Sequence, residues 1–161
     1  MAFLNEKKTF LSKLDKSKKG SLDEKIIPLL STINSKPQYY TTSSCSGRIT
    51  LFTTSGKKNQ SDWLKVSHSL IDQQFFQLES STSLVWLRLE PFILHIACEN
   101  LAAANNMLDL IRGLYKKSCL LSVSNKIIVE VRGQRVSGNA AILRPQAALQ
   151  RQSNLAGTIP Q

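Results

Sequence analysis

Acidic residues are scarce: 11 Asp and Glu stand against 21 Lys and Arg in 161 residues, a net charge of +10, and none follows Glu130. Each phosphate neutralised by such a chain releases condensed counterions, so the excess favours a polyanionic partner without naming it. Long apolar runs are missing too. No stretch approaches the roughly 18 to 20 residues of a membrane span, and the N-terminus lacks the apolar core of a secretory signal. A cytoplasmic protein with no membrane partner is expected. Cysteine is limited to Cys45, Cys98 and Cys119 without CxxC spacing, which gives neither a disulfide framework nor a zinc site. No metal is expected, and structural thiols are the simplest reading. The GxGxxG, P-loop, HExxH and GxSxG patterns are also absent, which disfavours a standard dinucleotide fold, an NTPase, a zincin and an α/β-hydrolase.

A hydrophobic content of 42% is enough for one core, and a single domain over residues 1–137 is expected, with a disordered basic tail at 138–161. Phe3, Phe10, Leu11 and Leu14 share a helical face, predicting a short amphipathic helix that ends near Lys16. Ser21-Leu22-Asp23-Glu24 has the capping-box pattern, so a second helix is expected to start there and stop near Asn34, bent at Pro28. Its stripe is Leu22, Ile26, Leu29, Leu30 and Ile33. Strands are predicted over 39–42 and 48–54, as neighbours joined by the small residues 43–47. A third strand over 63–68 leads into a helix carrying Ile71, Phe75 and Leu78. Residues 84–90 and 92–98 read as strands split at Pro91, which cannot donate to a ladder and marks a corner or edge. A clear helix spans 100–115, and a hairpin about Ser124-Asn125 joins strands at 120–123 and 126–132. Helices and strands in this order indicate an α+β domain around a mixed or largely antiparallel sheet.

The most unusual stretch runs from Tyr39 to Arg48. Ser43, Ser44, Cys45, Ser46 and Gly47 allow close backbone approach to a ligand, their amides suit an anion, and Arg48 offers a forked cation. Tyr39 and Tyr40 suit stacking on a base. A structural hairpin accounts for the same residues equally well. His68 and His95 each suit proton transfer near neutral pH, with a core role favoured for His95. Period-two alternation puts Trp86, Arg88 and Glu90 on one strand face, and Ile128, Glu130 and Arg132 on another. The lysines at 7, 8, 13, 16, 18 and 19 form a basic patch suited to phosphates, or simply a solvated face. From the residues alone the reading stops at a basic α+β binding domain.

Several blocks carry more. Asp15-Lys16-Ser17-Lys18-Lys19-Gly20, residues 39–49, Ser67-His68, Glu90-Pro91, Ile93-Leu94-His95 and Val129-Glu130-Val131-Arg132 together resemble the family of tRNA wybutosine-synthesising protein three, including its stand-alone archaeal members. The resemblance implies an atypical, non-Rossmann methyltransferase that uses S-adenosylmethionine to methylate N4 of a tricyclic guanosine derivative in the anticodon loop of phenylalanine tRNA. It further implies a donor site among Ser43, Ser44, Cys45, Ser46, Gly47, Arg48 and His95. His68 is then the first candidate base, and Glu90 a partner for the donor's ammonium or sulfonium charge. RNA contacts fall to Lys16, Lys18, Lys19, Tyr39, Tyr40 and Arg132. Two departures stand out: Gly133 where the family usually has serine, and Cys119 where glycine is expected. A tRNA-binding module without catalysis, and a thiol enzyme using Cys45, are the other functions in play.

Overall fold

The computed structural model describes residues 2–13, 22–54, 61–78, 84–134 and 142–143. These fall into two compact units, one drawn from residues 1–47 and 91–136, the other from 48–90 and 137–161.

The first unit is organised by β5 (Ile93–Cys98), an apolar strand that lies between β1 (Tyr39–Cys45) and β7 (Ile127–Arg132). The edge beyond β7 is β6 (Cys119–Ser122), giving the order β1-β5-β7-β6 with every neighbour antiparallel. Alternate residues of a strand point to opposite faces, so Leu94, Ile96 and Cys98 join Val129 and Val131 on one side. Against that side pack Ile26 and Leu30 at the start of α2 (Ile27–Asn34), and Ala103, Ala104, Met107 and Leu108 of α3 (Leu101–Arg112). Burying each large aliphatic side chain contributes about 1.5–3 kcal/mol. Asn100 caps α3 by accepting from the Ala103 amide at 2.9 Å, and alanines at the contact let the helix sit close. Tyr39 belongs to this core, its hydroxyl donating to the Ala103 carbonyl at 2.9 Å. Burial pushes the Cys98 thiol up to about 11, in keeping with a structural role.

The opposite face of the sheet holds α1 (Ala2–Leu11) at one end. Its Phe3 and Phe10 rings each lie 5.4 Å from the Tyr40 ring, and Tyr40 is fully buried. The Tyr40 hydroxyl donates to Glu6 (3.1 Å) and accepts from Lys126 (3.2 Å), while Lys126 also pairs with Glu6. Lys7, expected in a basic surface patch, is instead buried and donates to the Lys36 carbonyl.

The second unit is a sheet of order β3-β2-β4-β8, again antiparallel at every pairing: β2 (Arg48–Thr54), β3 (Ser61–Ser67), β4 (Val85–Glu90) and β8 (Ile142–Leu143). Leu51 and Val85 are its best-buried aliphatic residues. Lys65 donates to the carbonyls of Gln74 and Gln77, tying the segment after β3 back to the sheet.

The α+β class and the antiparallel pairing are as expected, and the chain passes between units at Pro91. Other expectations are corrected. The strands at 39–45 and 48–54 are not partners: β1 pairs with β5, Gly47 at φ 93° turns the chain, and β2 enters the other sheet. Pro28 does not bend a helix. A 3-10 turn over Glu24–Ile26 comes first, and Pro28 then sits in the first turn of α2, where a missing N–H costs nothing. Leu22 and Leu29 are exposed. The helix expected after Ile71 is one 3-10 turn, Gln73–Phe76, capped by Asp72, whose carboxylate accepts from Gln74 and Phe75. Ile142 and Leu143, placed in a tail expected to lack order, form β8 against Val85 and Trp86. Ser21 and its capping partnership lie outside the described residues, as does most of the tail.

Because two rings of α1 pack on the buried Tyr40 ring, Tyr40→Ala is expected to destabilise the protein by about 3–5 kcal/mol in urea denaturation. Tyr40→Phe, which loses only the hydroxyl contacts, should cost about 1 kcal/mol. Equal effects would show that the polar contacts, not the ring, hold the helix.

Candidate active site

The part of the first sheet's second face not taken by α1 carries a polar row. Ser43 pairs with His95, His95 with Glu130, and Glu130 with Cys119, so all four lie side by side across β1, β5, β7 and β6. A bulge between Thr41 and Ser43 sets this register. Thr41 faces α2, where Asn34 accepts from its amide at 2.8 Å. Past the bulge, Ser43 and Cys45 share the face of His95.

Glu130 is the hub of the row. It is buried, and its two oxygens have different partners: His95 Nε2 at 3.0 Å on Oε2, and Arg132 Nη2 at 3.0 Å on Oε1. Burial works to raise its pKa, but the hydrogen bonds from His95 and Arg132 outweigh that and hold the carboxyl below its ordinary value. Arg132 is exposed, and only Nη2 of its guanidinium is paired with Glu130. Just beyond it, Gly133 donates to the Phe92 carbonyl at 2.9 Å, and a Cβ there would lie 2.8 Å from Phe92 Cδ1. The Phe92 ring is itself held edge-on to Tyr115 at 4.9 Å. That contact gives a local reason for glycine at 133.

The segment 43–47 is less open than its composition suggests. Ser43 is exposed, but Ser44 lies opposite Leu94 on the helix side, and the amide and hydroxyl of Ser46 both donate to Asp23 Oδ2 at 2.9 and 2.8 Å. The Ser46 amide is therefore not directed at an external anion. Tyr39 and Tyr40 are core residues with no face left for a base, contrary to the stacking role expected for them. Lys16, Lys18 and Lys19 lie outside the described residues.

The second unit carries its own cluster. Trp63, Phe52 and Trp86 are register partners across β3, β2 and β4 and share one face with Arg48, Arg88 and Glu90. The Arg48 guanidinium lies 4.3 Å over the Trp63 ring and that of Arg88 4.4 Å over Phe52. Glu90 pairs with Arg48 through Nε and with Arg88 at 3.6 Å. The grouping of Trp86, Arg88 and Glu90 was legible from alternation; the rings beneath the two arginines were not, because they come from other strands. His68 follows β3 and is half-buried. Cys45 ends β1 opposite Ile93, and no disulfide joins the three cysteines.

The His95–Glu130 pair was also missed. Alternation put Glu130 beside Arg132, but β5 and β7 are separated in the chain by α3 and β6, and no local signal sets their register.

Together these features define a small α+β protein whose described residues form two antiparallel sheets, with no parallel nucleotide-binding sheet of the doubly wound kind among them. The family described as Methyltransferase TYW3 matches residues 5–150, and the chain belongs to it. It is 37% identical over 140 residues to the tRNA wybutosine-synthesizing protein 3 homolog of Xenopus laevis, covering 81% of this chain and 56% of that protein. It is 39% identical over 141 residues to the Methanocaldococcus jannaschii protein named tRNA(Phe) 7-((3-amino-3-carboxypropyl)-4-demethylwyosine(37)-N(4))-methyltransferase, covering 81% of this chain and 72% of the other. The chain thus spans little more than half the length of the Xenopus relative. The solved structure of the PH1069 protein from Pyrococcus horikoshii is similar with a TM-score of 0.72 and 31% identity, over 97% of this chain and 89% of that one. No helix among the described residues is long and apolar enough to cross a membrane.

The depressed pKa of Glu130 has a consequence for stability. A carboxyl whose folded value lies below its unfolded one stabilises the fold above the unfolded value, and that contribution is lost as pH falls through the folded value. The melting temperature is therefore expected to fall below about pH 4.5, the ordinary carboxylate value, and Glu130→Gln should flatten that acid limb. An unchanged limb would mean that His95 and Arg132 do not favour the ionised form.

Proposed function

We propose that this chain is an S-adenosylmethionine-dependent tRNA methyltransferase that methylates N4 of the tricyclic wybutosine precursor at position 37 of phenylalanine tRNA. Family membership over residues 5–150 carries this reading, and the M. jannaschii relative bears the name of that activity. The net charge of +10 suits an RNA substrate.

The residues of the first unit fit the methyl donor. Its zwitterionic end needs a cation with N–H groups to spare, and Arg132 is an exposed one, anchored to Glu130 through Nη2. Ser43 is exposed on the same face beside His95, and Gly47 offers backbone without a Cβ at the strand's end. In this reading Arg132 binds the donor's carboxylate, and the bound donor supplies an electrophilic methyl group on a sulfonium. The rate gain comes mainly from holding the ring nitrogen in line with that methyl group. No covalent enzyme intermediate is required, so Cys45→Ala retains activity, which separates this reading from a thiol enzyme.

In the second unit the arginine-on-aromatic face suits unpaired nucleotides of the anticodon loop, since bases stack on aromatic rings and on guanidinium planes alike. Arg88 is more than half exposed and Trp63 nearly so.

Calorimetric titration with S-adenosylmethionine and a methyl-transfer assay on precursor-bearing tRNA test the proposal. Saturable donor binding and a mass gain of one methyl group on the tricyclic base are expected, with Arg132→Ala weakening donor binding about tenfold or more. Tight tRNA binding with neither donor binding nor transfer would leave a non-catalytic RNA-binding module. Arg88→Ala is expected to weaken tRNA binding and to lower the slope of log K against log salt by about 1. An unchanged slope would remove Arg88 from the RNA interface.

A further inference from the structure

We infer that His95 Nδ1 accepts the proton lost by the nitrogen that is methylated, and that Glu130 is the positioning residue that makes this nitrogen the acceptor. The inference rests on the methyltransferase reading and adds the base to it.

An ionised carboxylate only accepts, so the 3.0 Å contact between Glu130 Oε2 and His95 Nε2 requires the proton to reside on Nε2. A neutral ring then has its lone pair on Nδ1. Arg132 on Oε1 stabilises the same ionised state and keeps Glu130 from taking the proton itself.

Rigidity supports the assignment. His95 lies in the central strand β5, flanked by the buried Leu94 and Ile96, and the Thr42 hydroxyl donates to its carbonyl at 3.4 Å. Only a little freedom is left to the ring, yet 24% of the side chain remains exposed, beside the exposed Ser43 and the Arg132 fork.

The step balances. The nitrogen forms a bond to the methyl carbon as the carbon–sulfur bond breaks, and that electron pair stays on sulfur, leaving a neutral thioether. The N–H proton passes to Nδ1. The imidazolium so formed faces the Glu130 carboxylate through Nε2–H, and its proton then leaves to solvent.

Two histidines in the chain make the test direct. Protein labelled with 15N-histidine, with His68→Gln to assign the signals, is expected to show His95 protonated at Nε2 and unprotonated at Nδ1 at the assay pH. Glu130→Ala should mix the tautomers and lower kcat about tenfold at saturating donor. His95→Gln should lower kcat at saturating donor about 100-fold or more, the scale of general-base catalysis. A proton found on Nδ1 overturns the inference, as does a His95→Gln kcat within about threefold of wild type. Loss of activity in His68→Gln alone would move the role to His68. Wild-type protein that neither binds the donor nor transfers methyl would overturn the methyltransferase reading itself, and the base with it.

Discussion

The first unit depends on a conflict that β5 resolves. A strand flanked on both sides must satisfy two faces at once, and here they ask for opposite things. Leu94, Ile96 and Cys98 have to be apolar because α2 and α3 close over them. His95, one residue out of phase, is released to the other face, where the antiparallel register sets it opposite Glu130. A slip of one residue would bury the histidine among leucines and turn the core outward. Packing on one side thereby sets the position of the charged groups on the other.

Glu130 extends that logic. A buried carboxylate is costly unless its oxygens are satisfied, and each oxygen has a partner, one across the sheet and one on its own strand. The same two contacts that make the charge tolerable also orient a histidine and an arginine. The second unit solves a related problem differently: Arg48 and Arg88 lie on Trp63 and Phe52, so their cationic planes cover apolar rings while Glu90 balances charge between them. In both clusters the arginines are held by local contacts.

Where local sequence and structure parted, a partner from elsewhere in the chain decided. Tyr39 and Tyr40 stood next to a serine-rich segment and suggested a stacking surface; a hydroxyl bond to Ala103 and the rings of Phe3 and Phe10 draw them into the interior instead. Ser46 suggested an anion cradle until Asp23 occupied it. Pro28 reads as a kink from spacing alone, but a proline in a helix's first turn removes no hydrogen bond.

Period and composition by themselves determined the elements of this protein: the alternation of β4, β5 and β7, the alanine-rich α3, the break at Pro91 and the basic charge are all local properties, set by side-chain direction and hydration within a few residues. The motif blocks also carried the family. Only the tertiary structure decided that β1 pairs with β5 rather than β2, that the strands form two sheets, and that His95 meets Glu130. Those outcomes depend on register between segments tens of residues apart. Register is chosen by burial of whole faces, a quantity that exists only once the chain has folded.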